Sequence, residues 1–129
     1  MNALKDALKE AATGETKAGD KGWMGRSFRF EREFVGFSGH FPGYPLVPAF
    51  VQVLASIVVM EGIKKTGLEI QGLDNAKFQR EIRPGTSVTV ECRETGDLPL
   101  VAFQARIRDE DGTAATFSVL CVAAEQVTP

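Results

Sequence analysis

"LVPAFVQVLASIVVMEGIKKTG", residues 46–67, holds the longest apolar stretch of the chain, and what must surround it decides the fold. Pro48 suits the first turn of a helix, where its missing N–H goes unused, and Gly67 is a natural stop. Lys64 and Lys65 fall in the last turn, where positive charge meets the negative end of the helix dipole. Between these ends Phe50, Val51, Val53, Leu54, Ile57, Val58, Val59 and Met60 leave almost no polar face. A helix apolar on nearly every side has to be wrapped by protein. It does not read as a membrane span, because residues 50–60 are interrupted by Gln52 and Ser56 and are too few to cross a bilayer.

On both sides of this helix the period changes to that of strands. Upstream, Phe28, Phe30 and Phe34 alternate with Ser27, Arg29, Glu31 and Glu33, and Arg32 breaks the apolar side. Downstream, "LEIQGLDNAKFQREI" sets Phe78 and Ile82 against Lys77, Gln79, Glu81 and Arg83, and "RPGT" turns the chain. Val88, Val90 and Cys92 then alternate with polar residues, as do Val101, Phe103, Ala105 and Ile107 after the turn "ETGDLP". Asp111-Gly112 is a hairpin signal, and Ala115, Phe117, Val119, Cys121 and Ala123 share one face of the last strand. At the N-terminus Leu4, Leu8 and Ala11 form a weak helical stripe, followed by the polar, Gly-rich "TGETKAGDKG".

The order is therefore a strand, one long apolar helix and four strands joined by short turns. An antiparallel sheet needs a cover for its apolar face, and one helix is available. These elements predict an α+β chain of the hotdog architecture, a curved antiparallel sheet wrapped around one long buried helix. Residues 1–22 read as an N-terminal helix and linker, and residues 23–129 as a single hotdog domain.

Composition narrows the function classes. Hydrophobic residues at 43% and charged residues at 25% describe a soluble globular chain, and a net charge of -2 gives no reason to expect nucleic acid or an anionic membrane as partner. Cys92 and Cys121 fall on inward strand faces, which reads as buried thiols in a reducing cytoplasm rather than a disulfide or a nucleophile. A single histidine with two scattered cysteines makes no metal set, and no glycine-rich phosphate cradle is present. The N-terminal residues show no basic stretch followed by an apolar one, so a cytoplasmic location is expected.

The histidine itself, His40, sits in "GHFPGYPLVP", just ahead of the apolar helix. This loop resembles that of the bacterial 3-hydroxyacyl-(acyl carrier protein) dehydratases, whose pattern is G-H-F-P-G-x-P-x-M-P-G. A second segment, "LDNAKFQREIRPGTSVTV", is similar to that family's strand, Pro-Gly turn and strand, so the resemblance covers residues 28–124. It implies a dehydratase acting on acyl thioesters carried by acyl carrier protein, with His40 as base and no cofactor. Phe41, Gly43, Tyr44, Pro48, Ala49, Leu54 and Val58 are the implied substrate-binding positions. The chemistry suits such a loop. Dehydration removes a proton from C2, a task for a neutral imidazole, and flanking prolines hold that imidazole in place. The thioester oxygen gains negative charge as C2 loses its proton, and a helix N-terminus offers N–H groups to meet it.

The sequence departs from the family on the helix. Ala49 stands where the family has glycine, Leu54 where it has Glu or Asp, and Val58 where it has glutamine. Leu54 cannot transfer a proton. Gln52 lies about 200° around the helix from Leu54, is uncharged, and reads as facing elsewhere. Glu61, two turns beyond Leu54, reads as a solvated residue of the exposed helix end, and Asp74 as a strand-entry turn residue. Two alternatives stay open beside the dehydratase: a non-catalytic acyl-thioester-binding subunit or scaffold, and a hotdog thioesterase. A homodimer joining two sheets is expected. Lys64, Lys65, Lys77, Arg80 and Arg83 are candidate contacts for an acidic carrier protein, with plain surface as the competing reading. Acyl-chain length and pathway (primary lipid, polyene or polyketide) stay open.

Overall fold

A computed structural model describes residues 3–31, 34, 46–96 and 100–124. Helix α1 (Ala3–Ala11) leads through a two-residue strand β1 (Lys17–Ala18) to β2 (Met24–Arg29). The long helix α2 (Ala49–Lys64) follows, and then β3 (Leu68–Phe78), β4 (Ser87–Gly96), β5 (Leu100–Asp109) and β6 (Gly112–Ala123). The strands form one antiparallel sheet in the order β1-β2-β4-β5-β6-β3. This is the expected hotdog arrangement, six strands with α2 packed against β4 and β3.

Alternation along the strands decides which side α2 covers. Val88, Val90 and Cys92 on β4 are buried, as are Val101, Phe103, Ala105 and Ile107 on β5. Ala115, Phe117, Val119 and Cys121 on β6 complete the inner face, while the residues between them are at least partly exposed. On the helix, Val51–Val53 and Ala55–Met60 are buried. Of the two polar residues in that stretch, Ser56 is satisfied against backbone and Gln52 only through its nitrogen. Ser56 Oγ donates to Val53 O at 2.6 Å, and Ser56 O accepts from the Cys92 thiol at 3.5 Å. Both cysteines are buried and unpaired; burial pushes the Cys92 thiol far up and the Cys121 thiol to about 11. A thiol held protonated in this way is no nucleophile.

The turns follow their chemistry. Gly85 takes φ +80 in the Pro84-Gly85 turn, where Thr86 N donates to Arg83 O. Gly112 takes φ +120 beside the Glu110-Asp111 hairpin loop, a region that a side chain would strain. The α2 helix ends on Lys65 in the left-handed region, φ 58, whose N–H donates to Glu61 O.

Three features differ from the sequence reading. First, β2 starts at Met24, ahead of the expected Ser27, and stops at Arg29. Gly25 allows the earlier start, because a Cβ there would lie 3.1–3.2 Å from the side chains of Glu91 and Thr89. Phe30 leaves the sheet yet stays buried, its ring stacked 6.1 Å from Phe28 and met edge-on by Phe34 at 4.9 Å. Second, β1 lies within the polar stretch after α1, whose composition gave no strand signal. Its pairing with Gly25 and Met24 is through backbone groups alone and leaves no side-chain pattern.

Third, Glu61 is not a solvated residue. Its side chain is 13% exposed and its Oε2 accepts from Lys5 Nζ at 2.7 Å and from the Leu68 N–H at 2.8 Å. Helix α1, seated on the core by the fully buried Leu8, brings Lys5 over the end of α2. One carboxylate thus ties α1, α2 and the start of β3. Glu61→Ala is expected to cost about 1–3 kcal/mol, since it removes the carboxylate from a partly buried ammonium and takes the acceptor from the Leu68 amide. An unchanged urea midpoint would refute this.

A candidate active site at the start of the buried helix

The beginning of α2 is built from backbone constraints. Pro48 is its N-cap, with extended φ/ψ of -65 and 157, and the N–H groups of Val51 and Gln52 both donate to Pro48 O, at 3.1 and 3.2 Å. Val47, immediately before, is buried and donates its N–H to Ile82 O at 2.8 Å, which fastens this corner to the segment after β3. The Ala49 N–H precedes the first helical acceptor and has no partner among the described residues. Ala49 itself is exposed.

A cleft of about 280 Å³ opens at this corner, lined by Leu46, Val47, Pro48, Ala49 and Gln52 on one side and by residues 78–81 on the other. Leu46, Val47 and Phe78 make its walls apolar; Glu81 contributes a carboxylate. Gln52 is the residue that sequence reasoning turned away from the site. It lies three residues after Ala49, hence on nearly the same helix face. Its side chain is 5% exposed and its Nε2 donates to Val47 O at 3.1 Å. Its Oε1 is buried with no hydrogen-bond partner among the described residues. The signal was present in the sequence as one amide in an otherwise apolar turn, but the direction of that amide depends on the path of residues 46–48.

Of the expected site residues, Pro48 and Ala49 meet in this cleft. Leu54 is half-buried one turn beyond Phe50, which is 55% exposed, and lines neither this cleft nor the next one described. Val58 is buried and borders a separate cleft of about 470 Å³ between α1 and α2, with Lys5, Lys9, Arg26 and Glu61. His40, Phe41, Gly43 and Tyr44 lie outside the described residues. Among the basic candidates, Lys64 pairs with Glu94 at 2.9 Å and Arg83 with Glu81 at 3.5 Å. Arg80 is committed to Asp109 by two hydrogen bonds of 2.7 and 3.0 Å, and this contact holds the Asp109 carboxyl below its usual range. Lys77 is exposed on β3. Among the described residues no cluster of His, Cys, Asp and Glu suits a metal ion, and no helix is long and apolar enough to cross a membrane.

Residues 17–118 match the ApeI-like family, whose description is ApeI dehydratase. The chain belongs to the ApeI-like dehydratase family. That match runs from β1 into β6 and takes in both segments on which the dehydratase resemblance was read. The chain is also similar to the 3-hydroxyacyl-[acyl-carrier-protein] dehydratase FabZ of Bacillus pumilus, 35% identical over 96 residues, which cover 64% of this chain and 66% of that one. The FabZ of Hydrogenobaculum sp. is 34% identical over 87 residues, covering 60% of this chain and 55% of its relative. The chain thus spans roughly half to two thirds of the length of these curated relatives. Among solved structures, the dehydratase heterocomplex ApeI:P from Xenorhabdus doucetiae superposes with a TM-score of 0.67 at 18% identity, covering 84% of this chain and 94% of that one. The superposition bears out the hotdog fold.

Proposed function

We propose that this ApeI-like chain dehydrates 3-hydroxyacyl thioesters carried on acyl carrier protein in the cytoplasm. The observation that supports this most directly is the open start of α2, where Ala49, whose N–H has no partner among the described residues, lines an apolar-walled cleft. A thioester carbonyl seated there meets a donor and the positive end of the helix dipole as its oxygen gains charge. His40 takes the C2 proton; the C2–C3 double bond forms as the C3–O bond breaks, and the hydroxyl leaves as water. The imidazolium left by the first step holds one proton, which balances the one the departing hydroxyl needs. Ala49 keeps the N–H that the family's glycine supplies, so its methyl group leaves the donor in place.

A homodimer belongs to this reading. Strand β3 is an edge of the sheet and exposes Ile70 and Leu73, 45% and 47% accessible, and Phe50 is open on α2. An unpaired apolar edge strand is a template for pairing with another chain. Purified protein is expected to sediment as a dimer and to interconvert 3-hydroxyacyl and trans-2-enoyl carrier thioesters. Absence of turnover in both directions would reject the enzyme reading.

The aliphatic Leu54 favours a second reading, in which the chain binds the acyl thioester and a different subunit supplies the acid. The Xenorhabdus relative is itself a heterocomplex. Under this reading the chain alone binds without turnover, and activity appears only when a second hotdog subunit co-purifies with it.

A further inference from the structure

We infer that Gln52 Oε1 is the acceptor for the 3-hydroxyl group of the acyl substrate, a specificity contact at a helix position other than the one the resemblance points to. The inference rests on the thioester reading above and adds the group that distinguishes a 3-hydroxyacyl chain from a saturated one. Its first support is chemical. A carbonyl only accepts, so the contact with Val47 O fixes which end of the amide is nitrogen and commits the oxygen to the other side. That oxygen is shut off from bulk water and lacks a donor among the described residues. Buried acceptors are ordinarily satisfied, and one that is not calls for a donor beyond the described residues, a role a ligand hydroxyl fits.

The second support is spacing. Ala49 and Gln52 are one helical step of three apart and border the same cleft; side chains at that separation are neighbours on the helix surface, about 5–6 Å between Cβ atoms. C1 and C3 of an acyl chain are two bonds apart. A thioester whose carbonyl oxygen meets the Ala49 N–H therefore carries its 3-hydroxyl to within one side-chain length of Gln52. Leu54, about 200° around the helix, lies on the opposite side of this face. Gln52 transfers no proton. It holds the hydroxyl, and with it C3, in one orientation.

The test compares carrier thioesters that differ only at C3: 3-hydroxyacyl, saturated acyl and 3-fluoroacyl, the last matching the hydroxyl in size but unable to donate. Wild-type protein is expected to bind the hydroxyl compound about tenfold more tightly than either analogue, the ratio that one net hydrogen bond gives. In Gln52→Leu that preference falls to about one, while affinity for the saturated chain is retained. Equal wild-type affinity for all three compounds overturns the inference, and needs no variant to fold. So does a preference that survives in Gln52→Leu. Failure to bind any of the three rejects instead the thioester reading on which it rests.

Discussion

His40→Ala is expected to lower turnover of 3-hydroxyacyl carrier thioesters by on the order of 10²–10⁴-fold, the range that removal of a general base commands. Under the proposed mechanism the loss falls on kcat and on kcat/KM alike, because a base acting on the C2 proton in the transition state contributes little to holding the acyl chain. Binding of the saturated thioester to the variant should match wild type. A His40→Ala protein that keeps its melting temperature and turns over within twofold of wild type would remove the imidazole from the mechanism. Among the described residues lining the cleft at the helix start, Glu81 is the one carboxylate, and it is exposed and already engaged by Arg83.

Phe28→Ala is expected to destabilise the chain by about 3–5 kcal/mol, the cost of emptying a large aromatic site in a packed core. Phe28 is fully buried, sits opposite Val88 in the β2–β4 register and bridges to Ala12 after α1. Its ring stacks on Phe30, so truncation also loosens the residue that follows the strand. Against a total of about 5–15 kcal/mol for a domain this size, the loss is roughly a fifth or more, and melting should fall by roughly 10–20 °C. The urea midpoint shifts with the slope unchanged if the sheet keeps its extent. Lys77→Ala, on the exposed side of the edge strand, is the matching control and should stay within about 0.5 kcal/mol. A Phe28→Ala midpoint no lower than that of Lys77→Ala would refute the account of the core.

The core was legible because period follows geometry. Val88, Val90 and Cys92, or Val101 to Ile107 by alternate residues, can face one way only in a strand, and a helix as apolar as α2 has to lie over them. Leu8 was legible for the same reason, as one turn of a helical stripe. The site was legible in part. The start of α2 was read from Pro48 and holds; the orientation of Gln52 was not, because it turns on a 2.8 Å hydrogen bond from Val47 to Ile82 that joins residues 35 positions apart. Glu61 was misplaced for a similar reason. Its neighbours Gly62 and Lys64 signal a helix end, and nothing local announces that α1 folds back to deliver Lys5.

By itself the chain's order of apolar and polar residues determined the elements other than β1, their faces and the antiparallel sheet around one helix, since those depend on periodicities of two and 3.6 residues and on local turn chemistry. The tertiary structure alone decided which polar groups lose their water. Gln52, Glu61 and Ser56 differ in partner though each is a lone polar residue in or beside the same apolar helix. Desolvation depends on what the rest of the chain stacks over a side chain, and that is a property of contacts between segments distant in sequence.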